Sequence, residues 1–277
     1  MIAIRAIVHP TDFSEASAGA FVHALRIALT AKCPLAILHV ATAAQRDDWA
    51  SFPHVRRTLA NWGLMNESES PAAITSRLGV KVTKIEMEPQ SAIDGVRHFL
   101  RTHPADLIVL ATEGRQGVAR WLHSSLAEKL ARQARAATLF VPAKARGFVD
   151  QQRGEVRLRR VLIPVDHQPK PAAAVGTIMG FAQLLSGIDA EERLLHIGDD
   201  RPPQVQRLSE QNRPVPVAIR HGDVVEAIID VASDWPADLI GMPTAGHQGF
   251  LDALRGSTTE QVLRRAPCPV LAVPAQH

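Results

Sequence analysis

Gly246 is followed by nine residues and then by Gly256-Ser257, a spacing suited to holding phosphate. Glycine lets a ligand approach backbone N–H groups closely, and a helix start presents unpaired N–H donors with partial positive charge. Ser257 adds a hydroxyl to the same place. The same residues also have a purely structural use, because Ser257 with Glu260 reads as a capping box worth about 1 kcal/mol to a helix with no ligand bound. At the other end of such a site stands Asp166, which closes a short apolar run. A carboxylate there accepts hydrogen bonds from a ribose hydroxyl or an exocyclic amine and would repel phosphate. An acid at one end of a cleft and a glycine loop at the other therefore fit a nucleotide lengthwise, whereas an Asp taken alone is also a common turn residue.

These groups must be positioned by a framework, and the chain states that framework twice. PADLIVLATEGRQG (104 to 117) returns as PADLIGMPTAGHQG (236 to 249), so Gly114 corresponds to Gly246 and Ser125 to Ser257, with 132 residues between partners. At the fronts AIVHPTD pairs with VLIPVDH, setting Asp12 against Asp166 at a separation of 154, so the first unit carries about twenty extra residues between its second and third strands. Short apolar runs at 2 to 9, 35 to 40, 80 to 87, 107 to 111 and 138 to 141 read as strands. They return at 160 to 165, 192 to 197, 215 to 220, 238 to 242 and 269 to 273. Helical patterns fall at 14 to 31, 90 to 102 and 124 to 135, then at 171 to 186, 223 to 234 and 257 to 266. Alternating strands and helices, with strands apolar on both faces, predict an α/β fold of two doubly wound domains. The boundary is placed near residue 152, giving domains 1–152 and 153–277.

The extra segment of the first unit carries Trp49, Phe52, Val55, Leu59 and Trp62 at spacings of three and four, which predicts a helix packing an aromatic stripe into the core. The stretch 143 to 160 reads as a connection, and Arg153, Arg157, Arg159 and Arg160 within it read as a solvated linker. Cys33 and Cys268 occupy non-equivalent positions, so no disulfide is expected. A net charge of +3 is too small to argue for nucleic acid. No apolar run reaches the ~20 residues of a membrane span, and the opening MIAIRAIVHP enters a strand pattern without a signal-peptide arrangement, so a cytoplasmic location is expected.

HPTDFSEAS (9 to 17), LHV (38 to 40), the two ADLI strands, the G-x9-G-S loop and APCPVLAVP (266 to 274) together resemble the universal stress proteins in a tandem two-domain form. The likeness covers the whole chain except 44 to 79. It implies a five-stranded parallel sheet per domain in the order 3-2-1-4-5, with the domains paired through their last strands, and leaves room for a homodimer. ATP-binding members of the family carry G-x2-G-x9-G-(S/T), which implies Asp166 and Ile197 at base and ribose, Gly246 in the loop, and Gly256 with Ser257 at the phosphates of ATP or AMP. The first glycine of that motif is Pro243 here, which has no N–H to donate. The first unit departs further, with Ala111 and Ser124 in place of glycines, leaving Asp12, Val40, Gly114 and Ser125 as weaker candidates. The second domain is therefore the expected nucleotide site and the first a degenerate one.

No nucleophile elbow, P-loop lysine or helical His pair at metal spacing is present. His39 and His196 fall at equivalent places near His9 and His167, where histidines satisfied by backbone are expected rather than a metal. The expectation is a binding protein, not an enzyme: a nucleotide-responsive stress regulator, or alternatively a nucleotide-free interaction and dimerisation protein in which both pockets are degenerate.

Overall fold

The structure is a computed structural model that describes residues 4–40, 51–87, 92–112, 136–205, 215–244 and 258–274. The first half comprises β1 (Ile7–Thr11), α1 (Glu15–Ala31), β2 (Leu35–Val40), α2 (Val55–Asn61), α3 (Pro71–Leu78), β3 (Val82–Met87), α4 (Ala92–Thr102), β4 (Leu107–Ala111) and β5 (Ala137–Val141). The second comprises β6 (Arg160–Pro164), α5 (Ala172–Ser186), β7 (Glu191–Ile197), β8 (Val217–Arg220), α6 (Val224–Asp234), β9 (Leu239–Thr244), α7 (Thr258–Arg265) and β10 (Val270–Pro274).

All ten strands form one sheet in the order β3-β2-β1-β4-β5-β10-β9-β6-β7-β8. Each half is parallel in the expected order 3-2-1-4-5. The halves join where β5 runs antiparallel to β10, with Leu139 opposite Leu271. Strands of the two halves therefore point in opposite directions, and so do their carboxyl ends. Burial on both faces explains the continuous apolar runs. Leu139 and Val141 of β5 enter the core beneath α1 and α5, while Phe140 between them enters the cluster beneath α6 and α7. Val8, Leu38, Val96 and Phe99 form the remaining core, beneath α4.

Helix ends follow local chemistry. Ser14 caps α1 by accepting from the Ser17 N–H, and Asp223 caps α6 by accepting from the N–H groups of Val225 and Glu226. Gly222, just before that cap, has φ of +102°, a conformation glycine alone adopts readily.

Three expectations need correction. The first strand is 7 to 11 rather than 2 to 9, because it continues through Pro10 instead of stopping before it. Pro10 lies beyond the last β1–β4 partner, Val8↔Ile108, so its missing N–H costs no bond to β4. The aromatic stripe is core as expected, with Phe52, Val55, Leu59 and Trp62 all buried, but the helix covers only 55 to 61. Pro53 stands ahead of it and Phe52 lies outside it; Trp49 falls outside the described residues.

The linker is also less solvated than its charges suggest. Val149 bridges Val156 in a short antiparallel turn, and Phe148, Val149 and Leu158 are buried. His23 of α1 holds this turn through Nε2, which accepts from the N–H groups of Phe148 (3.1 Å) and Val149 (3.3 Å), while Nδ1–H donates to the Gly19 carbonyl at 2.8 Å. Trp62 donates its indole N–H to the Gln151 carbonyl at 3.0 Å.

Candidate functional site

A doubly wound sheet opens a crevice where its central strands part at their carboxyl ends. Here β1 pairs with β4 only at Ile7 and Val8, and β6 with β9 only at Val161 and Leu162. Pro10 and Pro164 lie just past those pairs and offer no N–H. Pro243 likewise lies past the β6–β9 pairs, opposite Val273 of β10. Two crevices result, and their residues are used differently.

In the first half, Asp12 turns into the start of α1. Its Oδ1 accepts from the Ser14 N–H at 3.0 Å and the Ser14 hydroxyl at 2.5 Å, the turn use of an Asp rather than the ligand use. Phe13, at φ of +57°, stacks on His39 with ring centroids 4.0 Å apart, and Phe52 meets Phe13 edge-on at 5.0 Å. Protein aromatics thus close over the carboxyl ends of β1 and β2. His39 Nδ1–H donates to the Thr11 carbonyl at 2.9 Å, and Val40 points into the core beneath α4. His9 bridges the parting strands by donating Nδ1–H to the Val109 carbonyl at 2.9 Å. Burial, only partly offset by that bond and by the charge of Asp12, pushes its pKa down to about 4.

In the second half, the residue matching His9 is Ile163, and no such bridge forms. Asp166 lies at the end of β6 with its side chain 69% exposed. Its Oδ1 accepts from the His167 N–H at 2.7 Å and stands 3.9 Å from Nδ1 of His196. Ile197 ends β7, half-buried against the cluster beneath α6 and α7.

His196 anchors a polar group that the sequence reading left unassembled. It is buried, its Nδ1–H donates to the Val165 carbonyl at 3.2 Å, and its Nε2 lies 2.9 Å from Asp200 Oδ1. His167 Nε2 lies 3.0 Å from Asp200 Oδ2 and 2.9 Å from the Arg201 carbonyl. A Cβ on Gly198 would stand 2.7 Å from Asp200 Oδ1, so glycine leaves room for this carboxylate. Burial opposes the imidazolium most strongly, but the Asp200 hydrogen bond, the Val165 carbonyl and the charges of Asp200 and Asp166 together outweigh it and raise the His196 pKa. Asp200 is held below the usual carboxylate range, chiefly by its bond to His196. Asp166, His167 and His196 do offer metal-ligating atoms within 4.8 Å of one another. Both Nε2 atoms, however, are directed at the Asp200 carboxylate, the arrangement of a hydrogen-bonded cluster. Asp200→Asn should therefore lower the His196 pKa in an NMR titration; an unchanged titration would contradict the pairing.

Gly246, Gly256, Ser257, Gly114 and Ser125 lie outside the described residues, as do Ser124 and both capping-box serines. The repeated Asp of the ADLI motif has a role that spacing did not reveal. Asp106 accepts from the Arg5 N–H at 2.7 Å, and Asp238 accepts from the N–H groups of Arg159 at 2.9 Å and Arg160 at 3.0 Å. Each ties the strand entering beside it, so its repetition serves the sheet. Cys33 and Cys268 are free, buried thiols, with burial pushing Cys268 up to about 12.

Two doubly wound units share one sheet, and in each the central strands part at their carboxyl ends, which defines a tandem α/β protein. The model of the universal stress protein family matches residues 3–142 and 179–274, and the chain belongs to that family. Among solved structures it resembles a universal stress protein from Archaeoglobus fulgidus (TM-score 0.60, 18% identity, covering 97% of this chain and 96% of that one). It also resembles a putative universal stress protein from Pseudomonas aeruginosa (TM-score 0.62, 17% identity, covering 98% and 94%). The cytoplasmic domain of a prokaryotic cation chloride cotransporter shares the fold as well (TM-score 0.55, 10% identity, covering 98% and 95%). A search of curated proteins finds no match. Among the described residues no helix is long and apolar enough to cross a membrane.

Proposed function

We propose that this universal stress protein binds an adenine nucleotide, ATP or AMP, in its second domain and acts as a stress-response regulator through binding rather than catalysis, in the cytoplasm. The supporting observation is the contrast between the two crevices. Asp166 faces solvent where β6 and β9 part, with Ile197 ending the adjacent strand, whereas Asp12 is bonded into the start of α1 and Phe13 and Phe52 pack over the ends of β1 and β2. Asp166 and Ile197 would hold ribose and base, and Gly246, Gly256 and Ser257 the phosphates. Occupancy would then bias partner choice or domain pairing to the extent that the nucleotide binds one state better than another.

Equilibrium dialysis of labelled ATP and AMP against wild type and Asp166→Asn tests this reading. Hydrogen bonds to a charged group contribute about 1.5–3 kcal/mol, so the variant should bind roughly ten times more weakly or worse. Equal binding by both proteins would remove Asp166 from the site. The aromatic packing over β1 and β2 and Pro243 favour the second reading, a nucleotide-free interaction protein, which predicts no saturable binding by folded wild type.

A further inference from the structure

Away from both crevices, at the amino ends of the second half's strands, lies a cavity of about 770 Å³ lined by five arginines, Arg26, Arg146, Arg157, Arg159 and Arg160, and two acids, Glu155 and Asp238. Its walls come from α1, from the connection, from the start of β6 and from the end of α5. The acids are already engaged. Asp238, with its side chain 11% exposed, accepts from Arg146 at 2.5 Å and from two backbone N–H groups, while Glu155 pairs with Arg157 at 3.5 Å.

Three guanidinium groups remain in charge excess. Arg160 Nε is 3.7 Å from Glu191, a long contact to an exposed carboxylate. Arg159 has no ion pair or side-chain hydrogen bond among the described residues. Arg26 Nε is buried without a hydrogen-bond partner, although a buried donor left unmade is costly. Clustering like charges around a hollow raises the local potential for anions, and the guanidinium fork matches the paired oxygens of phosphate or carboxylate. Among the described residues no aromatic ring lines the hollow; the Trp235 ring lies 5.7 Å from the Arg160 guanidinium but is not part of the lining.

We propose that this cavity binds a small multivalent oxyanion, with two or more phosphate or carboxylate groups and no nucleobase, bridging α1 of the first half to the entry of β6 in the second. Arg26 and Arg159 would be its main ligands, and Arg160 a supporting one. The site is independent of the nucleotide crevice, which lies at the other ends of the second half's strands.

Isothermal titration of the full chain with tripolyphosphate and with citrate tests the proposal. The expected result is saturable, salt-sensitive binding of one or both anions, weakened at least tenfold by Arg159→Gln and again by adding Arg26→Gln, and unchanged by Asp166→Asn. Tripolyphosphate alone binding would identify a phosphate ligand, and citrate binding equally well a carboxylate one. Arg159 is exposed, so its variant should keep the wild-type thermal midpoint in the absence of anion. No saturable binding of either anion by folded wild type, or binding undiminished in the double variant, would overturn the assignment.

Discussion

Acidification from pH 7 to pH 5 should cost the protein roughly 3–4 kcal/mol of stability through two histidines alone. His9 and His23 are fully buried, and burial pushes both pKa values down to about 4 from an ordinary 6.5. Each is held neutral by its geometry: Nδ1–H donates to a carbonyl in both, and Nε2 of His23 accepts from two backbone N–H groups. Between about pH 6.5 and pH 4 the unfolded chain binds more protons than the folded one, so stability is present above this window and lost as pH falls through it. His196 works in the opposite direction and offsets part of the loss. Its folded pKa is raised, so its contribution is fully present below the unfolded pKa and is lost only as pH rises through the folded one. Urea midpoints at pH 7 and pH 5 measure the effect. His9→Ile, which installs the residue the second half carries at Ile163, should remove about half of the pH dependence. A midpoint that does not move between the two pH values would contradict the neutral, buried assignment.

Phe52→Ala should destabilise the first half by about 3–5 kcal/mol, the usual cost of removing a buried aromatic ring. Phe52 is 2% exposed, meets Phe13 edge-on, approaches His39 at 6.2 Å between centroids, and carries the Lys84 ammonium 5.7 Å from its ring centre. Its loss would leave Phe13 stacked on His39 with one side uncovered. Calorimetry of the variant should show a clearly lowered melting transition, and a wild-type transition would mean that Phe52 does not fill the hollow as described. Because Asp12 remains bonded to Ser14, the variant is not expected to gain nucleotide binding.

The repeat made the positions of most elements readable, and the resemblance to universal stress proteins supplied the strand order. LAILHV and LIVLA fall at the expected limits because both are apolar runs bounded by turn residues, the pattern of a strand covered on both sides. The first strand was misplaced because a proline inside a run usually marks its end. Here the neighbouring strand has already diverged, which no local pattern records. The aromatic packing over the ends of β1 and β2 was not legible either. Ala111 and Ser124 depart from the glycine pattern in the loop, but Phe52 reaches His39 from an insertion with no counterpart in the second half, a contact between positions distant in the chain. Asp200 meets His196 only four residues away, but the contact depends on room that Gly198 leaves, since a Cβ there would stand 2.7 Å from the Asp200 carboxylate. The arginines of the connection looked like a solvated charge run because the partners that gather them into a wall, Arg26 and Asp238, lie far away in sequence.

The account rests on one asymmetry: Asp166 is exposed at the end of β6, whereas Asp12 is bonded into the start of α1 and Phe13 and Phe52 pack over the ends of β1 and β2. Equilibrium dialysis of the full chain against labelled ATP, with wild type beside Gly256→Asp, tests it most directly. The predicted result is saturation at one nucleotide per chain, abolished when a carboxylate is placed among the amides expected to face phosphate, in a variant that melts like wild type. Two equivalent sites, undiminished binding by Gly256→Asp, or no binding by folded wild type would contradict it.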